Sequence, residues 1–179
     1  MVGRSTLDVS YDDLGTVDIG TGQCLEGNIP LLGENVIHSG VYKARPDVNC
    51  VIHVHPFWST VLSLLEDNVL GSPVFFADES QVESDEDGDA LGKALGESYA
   101  ILLPGHGIVI AADTIEQALV STVFIEEQAK KLYHAAVLGK IPDNYLRLYT
   151  KPSRSTRDSD LMQWFYKKLK EKGIYPEQP

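Results

Sequence analysis

Residues 49–56, Asn-Cys-Val-Ile-His-Val-His-Pro, leave the chain little choice of local structure. Cys50, Val51, Ile52 and Val54 are β-formers, so the stretch reads as a short strand. Pro56 has no N–H to give a ladder and ends the strand just after His55. Side chains alternate across a strand, which puts His53 and His55 on one face. Two imidazoles side by side at a strand end make half of a metal site. The plainer alternative is two polar residues on a solvated face.

The segments around this strand alternate between extended and helical patterns. Thr16-Val17-Asp18-Ile19 alternates as a strand would, Gly20-Thr21-Gly22 turns, and Gln23-Cys24-Leu25 can return as a hairpin. From Glu34, the residues Val36, Ile37, Gly40, Val41 and Ala44 recur at helical spacing until Pro46 stops them. A second amphipathic helix runs from near Phe57 to Leu65, and Pro73–Phe76 is a candidate strand. The acid-rich run from Asp78 to Asp89 lacks the spacing of a calcium loop and reads as a solvated loop leading into a helix over Gly88–Glu97. Tyr99–Leu103 is a buried-strand run that Pro104-Gly105-His106-Gly107 interrupts and Ile108–Ile110 resumes. Asp113 with Glu116 fits a capping box, and the long helix after it carries Ile115, Ala118, Leu119, Thr122, Ile125, Ala129 and Leu132 as a stripe, with Gly139 at its end. A polar linker, Lys151–Asp158, leads to a last helix with Leu161, Trp164, Phe165 and Leu169. These alternations predict an α/β fold with a mixed sheet. Residues 1–150 are expected to form one domain, and 151–179 a linker and helix that belong to it or contact another subunit.

A formal net charge of −11 argues against nucleic acid and anionic membranes as partners. Cys24 and Cys50 form neither a CxxC pair nor a disulfide framework, so a reduced, cytoplasmic setting is expected. There is no apolar run of membrane-spanning length and no apolar core to the N-terminus, so neither a span nor a secretory signal is expected.

His106 sits between two glycines inside an otherwise apolar region. Glycines permit unusual φ and close approach of another group, so this His is either part of a tight turn or a ligand aimed at a site. His53, His55 and His106 together would supply three neutral imidazoles, a set that suits Zn²⁺ and also Mn²⁺ or Fe²⁺. Three protein ligands leave a coordination position for substrate. A nearby carboxylate could be a fourth ligand or move a proton, and Glu34 is a candidate by position.

The ordered motifs Glu34-x-x-x-His38-x-x-x-Tyr42-x-x-Arg45-Pro46-Asp47, Val51-Ile52-His53-Val54-His55-Pro56 and Leu103-Pro104-Gly105-His106-Gly107, followed by the helix bearing Glu126, resemble the class II aldolase/adducin family. The resemblance runs from about Tyr11 to Gly139, some seven-tenths of the chain. It implies a three-layer α/β/α fold around a central, mainly antiparallel sheet. It implies a divalent metal, zinc first, held by His53, His55 and His106, with Glu34 beside it as the group that moves the substrate proton. It also implies a homo-oligomer of four subunits and a small-molecule substrate.

Two departures from the family pattern shape the expected function. The family's sugar-phosphate aldolases place two serines before the catalytic glutamate to hold the phosphate, whereas Leu32 and Gly33 here offer no hydroxyl. The family also usually opens with two helices and a Gly-Asn-x-Ser strand, and this chain starts after that point, so it reads either as a member whose N-terminal part has been lost or as an abbreviated one, with a pocket that is more open or completed by a partner chain. The expected activity is therefore metal-dependent carbon–carbon cleavage, by aldol cleavage or decarboxylation, of a non-phosphorylated hydroxy-carbonyl compound or hydroxylated aromatic acid. Phe57 and Trp58 would place aromatics beside the metal, and Tyr145 and Tyr149 are further candidate substrate contacts. Two alternatives remain: a non-catalytic assembly module like the adducins, which typically lack the full histidine set, and an Fe(II)-dependent oxygenase. His38 is expected on a helix face near the site, His134 at a surface or interface, and Cys50 as a small buried hydrophobe.

Overall fold

A computed structural model describes residues 14–27, 33–65, 82–139 and 157–173. In chain order it has β1 (Thr16–Val17), β2 (Cys24–Glu26), α1 (Asn35–Ala44), β3 (Cys50–Val54), α2 (Phe57–Ser63), α3 (Asp85–Leu95), β4 (Ala100–Leu103), β5 (Gly107–Ala112), α4 (Ile115–Leu138) and α5 (Arg157–Glu171). β1 and β2 form the expected small antiparallel hairpin. The central sheet has the order β3-β5-β4, with both pairings antiparallel. The candidate strand at Pro73–Phe76 lies outside the described residues.

Strict alternation along the strands divides the core in two. Val51, Ile101, Leu103, Val109 and Ala111 face Ile37 and Val41 of α1 and Leu91 and Leu95 of α3. Cys50, Ala100, Leu102, Ile108, Ile110 and Ala112 face Leu62 of α2 and Ala118, Ile125 and Ala129 of α4. Every residue of β4 and β5 is buried, so both read as continuous apolar runs. Helices therefore cover both faces of an antiparallel sheet, the expected three-layer arrangement. α5 lies against α4 and buries Met162. No described helix is long and apolar enough to cross a membrane.

Three expectations are corrected. The apolar runs on either side of Pro104–His106 are not one interrupted strand but two antiparallel ones. Pro104 and Gly105, the latter at φ +70°, fit the central positions of a type II turn, and His106 N–H donates to Leu103 O at 3.0 Å to close it. Helix α3 begins at Asp85, three residues before Gly88, because the Ser84 hydroxyl accepts from Asp87 N–H at 3.1 Å and caps it there. The cap of α4 is Thr114 rather than Asp113, with Gln117 N–H donating to Thr114 Oγ1 and Gln117 Oε1 accepting from Asp113 N–H.

Helices α1 and α3 meet backbone to backbone. A Cβ on Gly40 would lie 2.0 Å from Gly88 O, one on Gly88 2.4 Å from Val36 O, and one on Gly92 2.3 Å from Gly40 O. At the far end Arg45 ties the pair together. Its Nη1 donates to Gly96 O at 2.7 Å and Ser98 O at 3.0 Å, while Nε and Nη2 engage both oxygens of Asp47. That fork holds the Asp47 carboxyl down to about 2. The Tyr42 hydroxyl accepts from Val51 N–H at 3.1 Å, anchoring α1 to β3. Glu34 precedes α1 and His53 lies on β3, so this anchor fixes two site residues relative to each other.

Candidate metal centre

His53 is the fourth residue of β3, paired with Val109 and on the α1/α3 side of the sheet. His55 follows the end of the strand, and His106 closes the turn between β4 and β5. The three rings meet with centroids 4.9, 4.9 and 4.7 Å apart, a nearly equilateral triangle. Glu34 joins them. One ligand atom from each of Glu34, His53, His55 and His106 lies within 4.8 Å of all the others.

The carboxylate of Glu34 has two local options, and the structure distinguishes them. Glu34 occupies the N-cap of α1, but its side chain makes no capping bond. Its Oε1 lies instead 2.9 Å from His106 Nε2 and 3.6 Å from His53 Nε2. The side chain stays 34% exposed, while those of His53 and His106 are 5% and 12% exposed. A carboxylate with one side open to solvent can reach a bound molecule, and the two imidazoles behind it are largely buried.

The tautomer of His53 follows from its partners. Its Nδ1 lies 3.0 Å from Ile108 O, and a carbonyl only accepts, so Nδ1 carries the hydrogen. In the neutral ring, Nε2 then presents a lone pair to the cluster. Burial pushes the His53 pKa down, against the opposing pulls of the Ile108 bond and the Glu34 charge, and the other two imidazoles push it further down. His53 Nε2 lies 3.1 Å from His55 Nε2. His106 Nδ1 is buried without a partner among the described residues, so the described polar engagement of that ring is through Nε2, toward the cluster. Tetrahedral zinc with nitrogen and oxygen ligands at its usual bond lengths separates donor atoms by roughly 3.3 Å. Three of the six donor pairs, at 2.9, 3.1 and 3.6 Å, bracket that spacing, and all six lie within 4.8 Å. Three imidazoles and one carboxylate thus fit a divalent cation in donor type and in spread.

Glycine makes room for this convergence. A Cβ on Gly107 would fall 2.5 Å from Val54 O and 2.8 Å from His55 Cδ2. The Gly-His-Gly pattern thus serves a turn at Gly105 and close approach at Gly107.

The other expected residues divide. Phe57 is 66% exposed, with its ring 5.1 Å from that of Trp58. Trp58 packs in turn against Tyr133 and His134 of α4, with centroids at 4.9 and 5.5 Å. His38 is partly buried on α1, and burial lowers its pKa against the pull of Glu34, as a helix-face residue near the site should behave. Cys50 is buried and Leu32, Tyr145 and Tyr149 lie outside the described residues. In the sequence Glu126 stands out only as part of a motif. The structure gives it three partners at the start of α2: Trp58 N–H at 2.8 Å, Ser59 N–H at 2.9 Å and the Ser59 hydroxyl at 3.0 Å.

The fold that carries this cluster, a helix-covered antiparallel sheet, is that of a known family. The profile described as "Class II Aldolase and Adducin N-terminal domain" matches residues 3–133. The chain belongs to the class II aldolase and adducin family. Its family includes aldolases and decarboxylases, and class II aldolases depend on a divalent metal. Gamma-adducin of Rattus norvegicus is 30% identical over 112 residues, 57% of this chain and 16% of that protein. The 3-oxo-tetronate 4-phosphate decarboxylase of Escherichia coli O6:H1 is 27% identical over 144 residues, 70% of this chain and 64% of that enzyme. Among solved structures, an L-fuculose 1-phosphate aldolase superposes with a TM-score of 0.67 at 26% identity, covering 80% of this chain and 73% of its own. The chain thus spans about a sixth of the adducin and under two-thirds of the decarboxylase.

Proposed function

We propose that the chain is a metal-dependent carbon–carbon lyase, acting by aldol cleavage or decarboxylation on a small hydroxy-carbonyl compound or hydroxylated aromatic acid without a phosphate. The observation that carries this reading is Glu34, an N-cap residue whose carboxylate declines the cap and sits 2.9 Å from His106 and 3.6 Å from His53. His53, His55 and His106 would hold the metal, zinc first and Mn or Fe as alternatives, with Glu34 alongside. When bound, a divalent cation supplies a Lewis acid for a carbonyl or hydroxyl oxygen of the substrate. The chain's own residues do the rest. The Ile108 carbonyl keeps the His53 proton on Nδ1. Glu34, partly exposed, takes the proton from the substrate or returns it at the carbon left electron-rich by bond cleavage. The names of the decarboxylase and the aldolase specify phosphorylated substrates. The absence of a hydroxyl at Leu32 and Gly33 favours a substrate without phosphate for this chain.

The likeness to gamma-adducin supports a second reading, a non-catalytic assembly module. Metal content separates the two, since a scaffold needs none. Elemental analysis of the purified protein is expected to find about one divalent metal per chain. His53→Ala, His55→Ala and His106→Ala should each lose most of it. Stoichiometric metal in all three variants would remove the metal-centre reading.

We further propose a cytoplasmic homo-oligomer, a tetramer by likeness to the family. The last turn of α4 supports an oligomer, with Val137 70% and Leu138 89% exposed. Light scattering at micromolar concentration should give a multiple of 19.7 kDa, and a monomer alone would count against it.

A further inference from the structure

We infer that Glu126 is a positioning residue for the histidine cluster, acting through α2. This rests on the metal-centre reading above. α2 has seven residues, too few to hold together alone, and its N-cap is Pro56, whose side chain has no acceptor for the first amides. Glu126 supplies that acceptor from α4, a different element. Its Oε1 accepts from Trp58 N–H, and its Oε2 accepts from Ser59 N–H and the Ser59 hydroxyl. Ser59 is fully buried, so water cannot replace the carboxylate there. A negative charge at a helix N-terminus also suits the helix dipole.

A cap that merely stabilised α2 would do no more than this. α2, however, is joined to the site at both ends. His55 and Pro56 run directly into its first turn. At its other end the Ser63 hydroxyl donates to Thr60 O at 2.6 Å and accepts from Gly105 N–H at 3.2 Å, one residue before His106. A displacement of α2 therefore moves two of the three imidazole-bearing backbones. The site has little slack to absorb it, because the close approach at Gly107 already sets His55 against the β4–β5 turn.

The test compares Glu126→Ala and Glu126→Gln with Ile125→Ala, which empties a core position on the same helix and keeps the Glu126 carboxylate that accepts from Trp58 and Ser59. Zinc affinity is measured by chelator competition on protein with a native near-ultraviolet spectrum, and amide exchange at Gly105 on metal-free protein. Glu126→Ala should weaken zinc binding roughly tenfold, at the lower end of what supporting partners of metal ligands contribute. Glu126→Gln, which keeps an acceptor but not the charge, should fall between it and the unaltered protein. Gly105 exchange should quicken in both. Ile125→Ala should lower the melting temperature and leave zinc affinity and Gly105 exchange unchanged. If Glu126→Ala fails to fold, Glu126→Gln carries the comparison. Unaltered zinc affinity and Gly105 protection in the Glu126 variants would overturn the inference. Failure of the metal reading looks different: the unaltered protein would then bind no zinc, while Gly105 exchange would still report whether Glu126 holds the turn.

Discussion

Glu34→Gln is expected to leave the fold and most of the bound metal in place while turnover falls roughly 10²- to 10⁴-fold. That range corresponds to about 3–5 kcal/mol of transition-state stabilisation. Gln is nearly isosteric and retains an oxygen, but it cannot exchange a proton as an acid–base group. The helix loses no capping bond, since the Glu34 side chain makes none to α1, and the charge at its N-terminus is worth at most about 1 kcal/mol. What changes is the group 2.9 Å from His106 Nε2. The assay should begin with non-phosphorylated hydroxy-carbonyl compounds and hydroxylated aromatic acids, with their phosphorylated counterparts alongside. Turnover at the unaltered rate in Glu34→Gln would return Glu34 to the role of a helix-end acid and move the search for a proton donor to Tyr145 and Tyr149.

Gly88→Ala is expected to destabilise the protein by roughly 3 kcal/mol or more. In an exposed helix the same change would add about 1 kcal/mol of stability, because Ala is the better helix former. The sign reverses here because the new Cβ would sit 2.4 Å from the Val36 carbonyl oxygen. The obstructing atom is backbone in the first turn of α1, so it cannot swing aside as a side-chain end could. The helices must separate, opening the layer that holds Ile37, Val41, Leu91 and Leu95. A fall in melting temperature of about 6–12 °C follows for a chain of this size. A melting temperature equal to or above that of the unaltered protein would mean that the two helices can move apart freely. Because α1 carries Glu34 at its start, a partly separated pair should also show weakened metal binding.

The parts of this molecule that could be read from sequence are those governed by short periods. The alternation of β3 put His53 and His55 together, and the glycines around His106 marked a backbone that must turn and approach closely. Helix α1 is legible from the apolar spacing that opens after Glu34 and from Pro46, because both signals act within a turn or two. The hairpin between β4 and β5 is hidden in the sequence because Leu103 and Ile108 are equally apolar, and both strands are buried on both faces. Nothing in their composition separates one long strand from two short ones; Pro104-Gly105 carried that information as turn chemistry. The cap of α4 was misplaced by one residue, since Asp113 and Thr114 are both capable N-caps and the choice rests on backbone geometry. Glu126 and the contact of Gly40 with Gly88 and Gly92 were out of reach for a different reason. Each depends on a partner tens of residues away, and no local pattern names that partner.

The division of the sheet into two faces bears on how errors in assembly are rejected. If β3 paired with β5 one residue out of step, every side chain of the strand would change faces. Val51 would leave Ile37 and Leu91, and His53 would be pressed against the apolar layer of Ile125 and Ala129. An imidazole there loses the Ile108 carbonyl and gains no described acceptor, so the slipped form is penalised for its buried polar ring as well as its misplaced valine. The histidine thus proofreads the sheet. In the native register, by the same discrimination, His53 is set on the α1/α3 side of the sheet together with Val51.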